Sequence, residues 1–243
     1  MAEKDNGTAV RTHDFEELYR DGKATLGAAG ATLDVVPWDI QAPQPIVVEL
    51  EQAGEIIGPV LDAGCGLGEN ALFLAERGYR VTGIDAASTA IEEDQRKARE
   101  RGLQVEFVVA DATTLDGVEG PFRTVVDSAL LHCLDEESRR SYVSALHAIC
   151  EPGARLHVMC FSDAMPAGLP IHPHTEAQLR ATFSDGWTIH RLQRRVYNTA
   201  LTHEEIHGLL ERSALSALDT SSLETDDMGR LLMPIWQLTV ERI

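Results

Sequence analysis

The chain has 243 residues and carries 39 acidic against 21 basic side chains, a net charge of −18, which argues against a polyanionic partner such as nucleic acid. Hydrophobic residues make up 44% and charged residues 25%, the balance of a globular protein with a sizeable core, and no apolar run reaches membrane-spanning length. The opening Met1-Ala2-Glu3-Lys4-Asp5-Asn6 lacks a signal-peptide core, and Cys65, Cys133, Cys150 and Cys160 show no C-x-x-C pairing, so free thiols in a reducing cytoplasm are expected.

Residues 1–12 read as a polar, disordered tail and residues 13–57 as an N-terminal helical lid or cap. Within it, Asp14 is expected to cap a helix over 15–20, and the Gly/Ala-rich passage 22–31 has the composition of a mobile lid. Pro37-Trp38-Asp39-Ile40-Gln41-Ala42-Pro43-Gln44-Pro45 then leads into a helix over 46–52. From residue 58 to 243 a single domain is expected. Strands at 60–62, 80–84, 105–109, 124–127 and 155–160 alternate with helices at 70–77, 89–101 and 136–149, the signature of a parallel sheet covered on both faces. The tail reads as a strand over 187–197, a helix from Thr202 to about Arg212, and a closing antiparallel edge strand over 235–240.

Leu61-Asp62-Ala63-Gly64-Cys65-Gly66-Leu67-Gly68-Glu69 is the most informative segment. A buried strand runs into three alternating glycines and then a helix, so the main chain can bend tightly and approach a ligand closely. A dinucleotide fingerprint wants a third glycine where Glu69 stands, and Glu69 with Asp62 is expected to repel a pyrophosphate at the helix start. A cationic, nucleoside-like cofactor suits the turn better.

Two more strands end in acids. Arg80-Val81-Thr82-Gly83-Ile84-Asp85 places a carboxylate 21 residues after Gly64, where it can accept both hydroxyls of a ribose. Val108-Val109-Ala110-Asp111-Ala112 places another where it can accept from an adenine amino group. A fourth strand ends in Asp127-Ser128, followed by Ala129-Leu130-Leu131-His132-Cys133-Leu134.

This series resembles the class I S-adenosylmethionine-dependent methyltransferases: their glycine motif, acidic ribose loop, adenine aspartate, and the fourth motif with its following loop. The resemblance is specific over residues 58–160. The Pro-Trp-Asp segment resembles the P-W-D-x-G-x-P-x-P element of the thiopurine, thiol and halide branch, with Gln41-Ala42 replacing the usual Gly-Arg. The whole chain is similar to actinobacterial methyltransferases of hydroxyquinolones and related heterocyclic toxins. The resemblance implies a Rossmann-like, doubly wound seven-stranded sheet, mostly parallel with an antiparallel last strand. It also implies S-adenosylmethionine as methyl donor, with S-adenosylhomocysteine as product, and a small aromatic or heterocyclic acceptor methylated at oxygen, nitrogen or sulfur.

Carried over by position, the resemblance puts the Gly64, Cys65 and Gly66 backbone against the methionine moiety and Asp62 near its ammonium group. Asp85 takes the ribose, Ala86 lies on the adenine, and Asp111 with the Ala112 amide reads the adenine edge. Ser128 lines the floor beneath the sulfonium, while Trp38 and Tyr19 close the methionine end.

His132 is the candidate general base, since an imidazole accepts a proton near neutral pH; packing beneath the following helix is the alternative. Tyr19 is a candidate hydrogen-bonding partner for substrate or cofactor. His172 and His174 read as a solvated loop with no further metal ligands, so no metal is expected. Met165, Pro166, Leu169 and Ile171 are either the wall of a flat pocket or ordinary loop packing, and His203 and His207 are expected at the surface. Other readings stay open: a thiol or thiopurine S-methyltransferase, a nucleotide-binding oxidoreductase on the same scaffold, or a cofactor-binding protein without turnover. Monomer and homodimer are equally open.

Overall fold

The computed structural model describes residues 12–21, 24–26, 31–33, 35–166, 173–211 and 220–243. The expected tail therefore lies outside the described residues except for Thr12, which begins helix α1 (Thr12–Asp21). Asp14 falls inside that helix rather than capping it. Of the passage 22–31, expected to be a mobile lid, the structure describes β1 (Ala24–Leu26) and the first residue of β2 (Ala31–Leu33), which pair antiparallel; residues 22–23 and 27–30 lie outside the described residues. Helix α2 (Pro45–Gln52) starts on Pro45, whose missing N–H is no loss in a first turn.

The alternating region follows as β3 (Val60–Ala63), α3 (Glu69–Glu76), β4 (Val81–Asp85), α4 (Ser88–Arg101), β5 (Glu106–Val109) and β6 (Phe122–Ser128). After a 3-10 turn at Leu131–Cys133 come α5 (Glu136–Ile149), β7 (Cys150–Phe161), α6 (Glu176–Thr182), β8 (Trp187–Thr202), α7 (His203–Glu211) and β9 (Arg230–Arg242). Seven strands form one sheet in the order β5-β4-β3-β6-β7-β9-β8. All run parallel except β9, which pairs antiparallel with both β7 and β8. The last strand is thus antiparallel as expected, but it lies between two neighbours, and β8 takes the edge.

Central position explains the composition of β3, whose four residues are all buried in an uninterrupted run. Alternation along the strands sends side chains to two separate cores. Val60, Val126 and Met159 join α2 and α3 on one face, while Leu61, Val125 and Leu156 join α5 on the other. By the same parity Asp62 belongs to the first face and Asp127 to the second.

The starts of α5, α6 and α7 carry side-chain caps. Asp135 accepts from the Ser138 amide at 2.8 Å, and Thr202 and Glu205 cap α7 reciprocally, as the sequence suggested for Thr202. Helix α6, absent from the sequence reading, carries a capping box between Thr175 and Gln178. No helix among the described residues is long and apolar enough to cross a membrane.

Candidate functional site

Four parallel strand ends define the site. Asp62 pairs in register with Gly83 of β4 and Val126 of β6, and Ala63 with Ile84 and Asp127. Asp85 stands opposite Val109, and the Ala110 amide donates to the Asp85 carbonyl at 3.0 Å. Asp111, Asp85, the glycine turn and Ser128 therefore lie in a row along one rim of the sheet, the place where open α/β sheets bind ligands.

The glycine turn takes left-handed backbone at Gly64 (φ 68°), Gly66 (φ 57°) and Gly68 (φ 72°). All three are also crowded where a side chain would begin: a Cβ on Gly64 would lie 3.0 Å from Leu130 Cβ. A Cβ on Gly66 would lie 3.0 Å from the Tyr19 hydroxyl and 3.6 Å from the Trp38 indole nitrogen, and one on Gly68 would lie 2.7 Å from the Asp94 carboxyl group. The turn is held between side chains on both sides.

Asp62 is fully buried, and neither of its carboxylate oxygens has a hydrogen-bond partner. Burial pushes its pKa up to about 7; the Ala71 amide draws it down without completing a hydrogen bond, and Asp127 and Asp85 push it up further. A buried unpaired carboxylate at a ligand-binding rim is the environment a ligand cation satisfies.

Asp85 is half-buried and engaged by main chain: Oδ2 accepts the Gly66 amide at 3.0 Å and Oδ1 the Ala87 amide at 2.9 Å. Burial still raises its pKa, against those bonds. Ala86 beside it is exposed. Asp111 is exposed, its Oδ1 accepting the Thr113 amide at 2.8 Å and the Thr113 hydroxyl at 2.7 Å, and Ala112 is partly covered. The Cys65 thiol lies 3.5 Å from Asp94 Oδ2, and burial holds its pKa well above the ordinary range, so it is no nucleophile.

Tyr19 and Trp38 meet over the turn. The Trp38 indole N–H donates to the Tyr19 hydroxyl at 3.0 Å, their rings meet edge-on, and Phe15 packs on Trp38 with centroids 5.7 Å apart. Burial keeps the Tyr19 phenol protonated at any physiological pH. Downstream of Trp38, Gln41 takes a left-handed conformation (φ 56°), stabilised by its amide donating to Asp39 Oδ1 at 2.9 Å. That geometry favours the glycine found there in the resembling family. The segment is tied to β8 by the Ala200 amide on the Pro37 carbonyl at 2.8 Å and by Gln44 Nε2 on the Asn198 carbonyl at 3.1 Å.

Ser128 makes a 3.0 Å hydrogen bond with the hydroxyl of Tyr197, a buried residue on β8 that the sequence reading missed. The next residue, Ala129, is strained in left-handed backbone (φ 81°). Asp127 fixes the loop beyond: its Oδ1 accepts the Leu130 and Leu131 amides at 2.9 and 3.2 Å, and Oδ2 accepts the Tyr142 hydroxyl at 3.0 Å. Burial still pushes Asp127 up to about 7.

His132 is buried in the 3-10 turn, stacked on Phe161 with centroids 4.0 Å apart. Its Nδ1 accepts the Phe161 amide at 3.4 Å, so in the neutral ring that makes this bond the proton sits on Nε2.

Two expectations change. Glu69 does not face the ligand side unpaired: Lys97 reaches it at 3.0 Å and Arg101 at 2.9 Å, so α4 neutralises it, and Asp62 and Asp85 are left to disfavour a pyrophosphate. His174 is buried rather than solvated, its carbonyl accepting the Trp236 indole N–H at 2.8 Å, because the chain after β7 folds back onto the sheet. Leu169, Ile171 and His172 lie outside the described residues. His203 and His207 are exposed, as expected, and no metal-ligand cluster occurs among the described residues.

Comparison with known proteins gives this rim a context. A family model described as a methyltransferase domain matches residues 60–153. A 2-heptyl-1-hydroxyquinolin-4(1H)-one methyltransferase of Mycobacteroides abscessus is 42% identical over 178 residues, covering 72% of this chain and 76% of that protein. A structure solved in work on the conversion of a disulfide bond into a thioacetal group during echinomycin biosynthesis is 36% identical, with a TM-score of 0.73, covering 96% of this chain and 93% of its own. A Burkholderia thailandensis 1,6-didemethyltoxoflavin-N1-methyltransferase, solved with bound 1,6-didemethyltoxoflavin and S-adenosylhomocysteine, shares the fold at 21% identity and a TM-score of 0.64, covering 100% of this chain and 92% of its own.

Proposed function

Because the chain belongs to the class I S-adenosylmethionine-dependent methyltransferases, we propose that it methylates a small, flat heterocycle of the hydroxyquinolone kind at oxygen, in the cytoplasm. The orphaned Asp62 carboxylate beneath the glycine turn carries the cofactor half of this reading. The acceptor class comes from the relative at 42% identity. Family membership removes the oxidoreductase and the cofactor-binding protein without turnover.

The residues present fit the cofactor. Asp62 meets the ammonium group, and the Gly64, Cys65 and Gly66 main chain receives the methionine moiety. Asp85 accepts the ribose hydroxyls, Ala86 supports the adenine, and Asp111 with the Ala112 amide reads its edge. Tyr19 and Trp38 close the methionine end as part of the N-terminal cap. When bound, S-adenosylmethionine supplies an electrophilic methyl group on a sulfonium.

The protein's remaining tasks are alignment and exclusion of water. Holding two reactants in line is worth up to roughly 7–11 kcal/mol of a barrier in favourable cases. Ser128, fixed by Tyr197, forms the polar floor, and Met165, Tyr197 and Met233 belong to the apolar core on the same face of the sheet, with Phe161 packed against it, surroundings suited to a flat acceptor. With Nδ1 engaged by the Phe161 amide, His132 and the protonated Tyr19 serve the acceptor as hydrogen-bond donors. For His132 to act as base at Nε2, the ring must give up that amide.

The net charge of −18 supports a small molecule over nucleic acid as acceptor. A sulfur acceptor is the second reading, favoured by the 36% identity to the echinomycin-related structure.

A methyl-transfer screen over hydroxyquinolones, phenols, thiols and thiopurines, read by mass spectrometry, tests the choice. Methyl ethers of hydroxyquinolones or phenols are expected. Turnover of thiols or thiopurines alone would establish the second reading, and no turnover with any class would overturn both.

A further inference from the structure

The glycine turn is braced from behind by one face of α4, and three side chains there act on it together. Asp94 is fully buried beneath Gly68, with Oδ2 at 3.5 Å from the Cys65 thiol and Oδ1 without a partner. One turn later the Lys97 ammonium donates to the Leu67 carbonyl at 2.7 Å and to Glu69 Oε1 at 3.0 Å. A turn beyond that, Arg101 reaches both oxygens of Glu69 at 2.9 Å. The spacing of 94, 97 and 101 puts the three on one helical face.

Lys97 is the member with the most to hold. Its side chain is only 15% exposed, and Glu69 is 13% exposed, so the pair is well shielded from solvent. The Leu67 carbonyl it binds belongs to the peptide between Gly66 and Gly68, both in left-handed backbone. Few other bonds fix this stretch: Gly68 donates to the Cys65 carbonyl at 3.0 Å, and Gly66 to Asp85. Helix α4 begins three residues after Asp85, so the same rigid element follows the ribose acid and grips the methionine turn.

We propose that Lys97 is a positioning residue for S-adenosylmethionine: by fixing the Leu67 carbonyl and Glu69 it preorganises the glycine turn into its binding shape. The inference rests on the reading that this turn receives the methionine end. Lys97 is not itself placed against the cofactor. Its effect is on affinity, because the same turn geometry serves the bound donor and the transition state alike.

The test uses Lys97→Met, Lys97→Arg and Asp85→Ala in the full chain, with three readouts: S-adenosylhomocysteine affinity by calorimetry, amide hydrogen exchange over 64–69 without ligand, and kcat at saturating donor. Losing a charged hydrogen bond to the turn should weaken affinity about tenfold or more in Lys97→Met, with kcat retained within about twofold. Exchange in the turn should quicken while the rest of the sheet is unchanged. Arginine, which can still donate to both partners, should recover most of the affinity. If Lys97→Met binds like wild type while Asp85→Ala does not, the brace is refuted and the site reading stands. If neither variant loses affinity, the site reading fails with it. Global loss of protection in Lys97→Met together with no recovery in Lys97→Arg would make Lys97 a residue of the fold alone and overturn the proposal.

Discussion

In the proposed site, Asp62 joins stability to binding. Its carboxyl group, pushed up to about 7 by burial, holds a proton in the ligand-free protein over much of the neutral range. An ammonium ligand requires the ionised form, so binding releases a proton, and affinity should rise roughly tenfold between pH 6 and 7.5. Calorimetry of S-adenosylhomocysteine in buffers of different ionisation heat measures that release; a pH-independent affinity with no proton exchange would remove Asp62 from the ammonium site. His132 gives a second prediction at this scale. As a donor it should be worth about tenfold or less in kcat, whereas removing a general base costs about 100-fold or more. Steady-state rates of His132→Ala decide between the two. The acids Asp62, Asp85 and Asp111 were legible because each ends a hydrophobic run. Tyr197, Asp94 and Lys97 were not, because a tyrosine in a long strand and charges on a helix carry no sign of what they face once folded.

Among the elements, α1 is anchored by the buried Leu18 and by contacts to the glycine turn and to α4. Tyr19 and Trp38 cover the glycine turn, and Glu16 accepts from the Thr89 hydroxyl, the Thr89 amide and Ser88 at the first turn of α4. Those bonds lower the Glu16 pKa, led by the Thr89 hydroxyl. Glu16→Ala should release α1 and weaken cofactor affinity by about threefold to tenfold, an effect of cap size. Hydrogen exchange of 12–21 should quicken in the same variant, and unchanged exchange would show that the contact does not hold the helix. A second element, the loop after β6, depends on Asp127, which serves two amides and the Tyr142 hydroxyl. Asp127→Ala leaves three donors unpaired and should cost about 3 kcal/mol of unfolding free energy, measured in urea.

The alternation of β3 to β7 was readable from hydrophobic runs and glycine punctuation, since each crossover is short and local. The placement of β9 between β7 and β8 was not, because strand order after a long excursion is decided by pairing. Pairing with both neighbours, in unbroken register with β7 and with register shifts at Ile189/Arg191 and Asn198/Thr202 against β8, makes β9 an inner strand. Helix α6 was missed because its capping box sits in a short segment between longer apolar patterns.

For the whole molecule, the buried carboxyls make stability depend on pH in an unusual direction. Asp62 and Asp127 are pushed up to about 7 and Asp94 to about 8, all mainly by burial. The folded state therefore binds more protons than the unfolded state above pH 4, so stability falls as pH rises through these values. His157, buried and pushed down to about 4, is neutral in the folded state but half protonated in the unfolded state at pH 6.5, and it offsets only about 0.4 kcal/mol of this. Between pH 6.5 and 8 the ligand-free protein should lose roughly 3 kcal/mol from the three acids together. Denaturant titrations at the two pH values measure it, and a flat or rising stability would contradict the burial of these groups as acids.

The claim on which the rest depends is that the rim acids of β3 and β4 hold the methyl donor. Calorimetric titration of S-adenosylhomocysteine into wild type, Asp62→Asn and Asp85→Ala at pH 7.5 tests it directly. The predicted result is saturable binding to wild type and a loss of about tenfold or more in each variant. Binding of equal strength to all three proteins would contradict it.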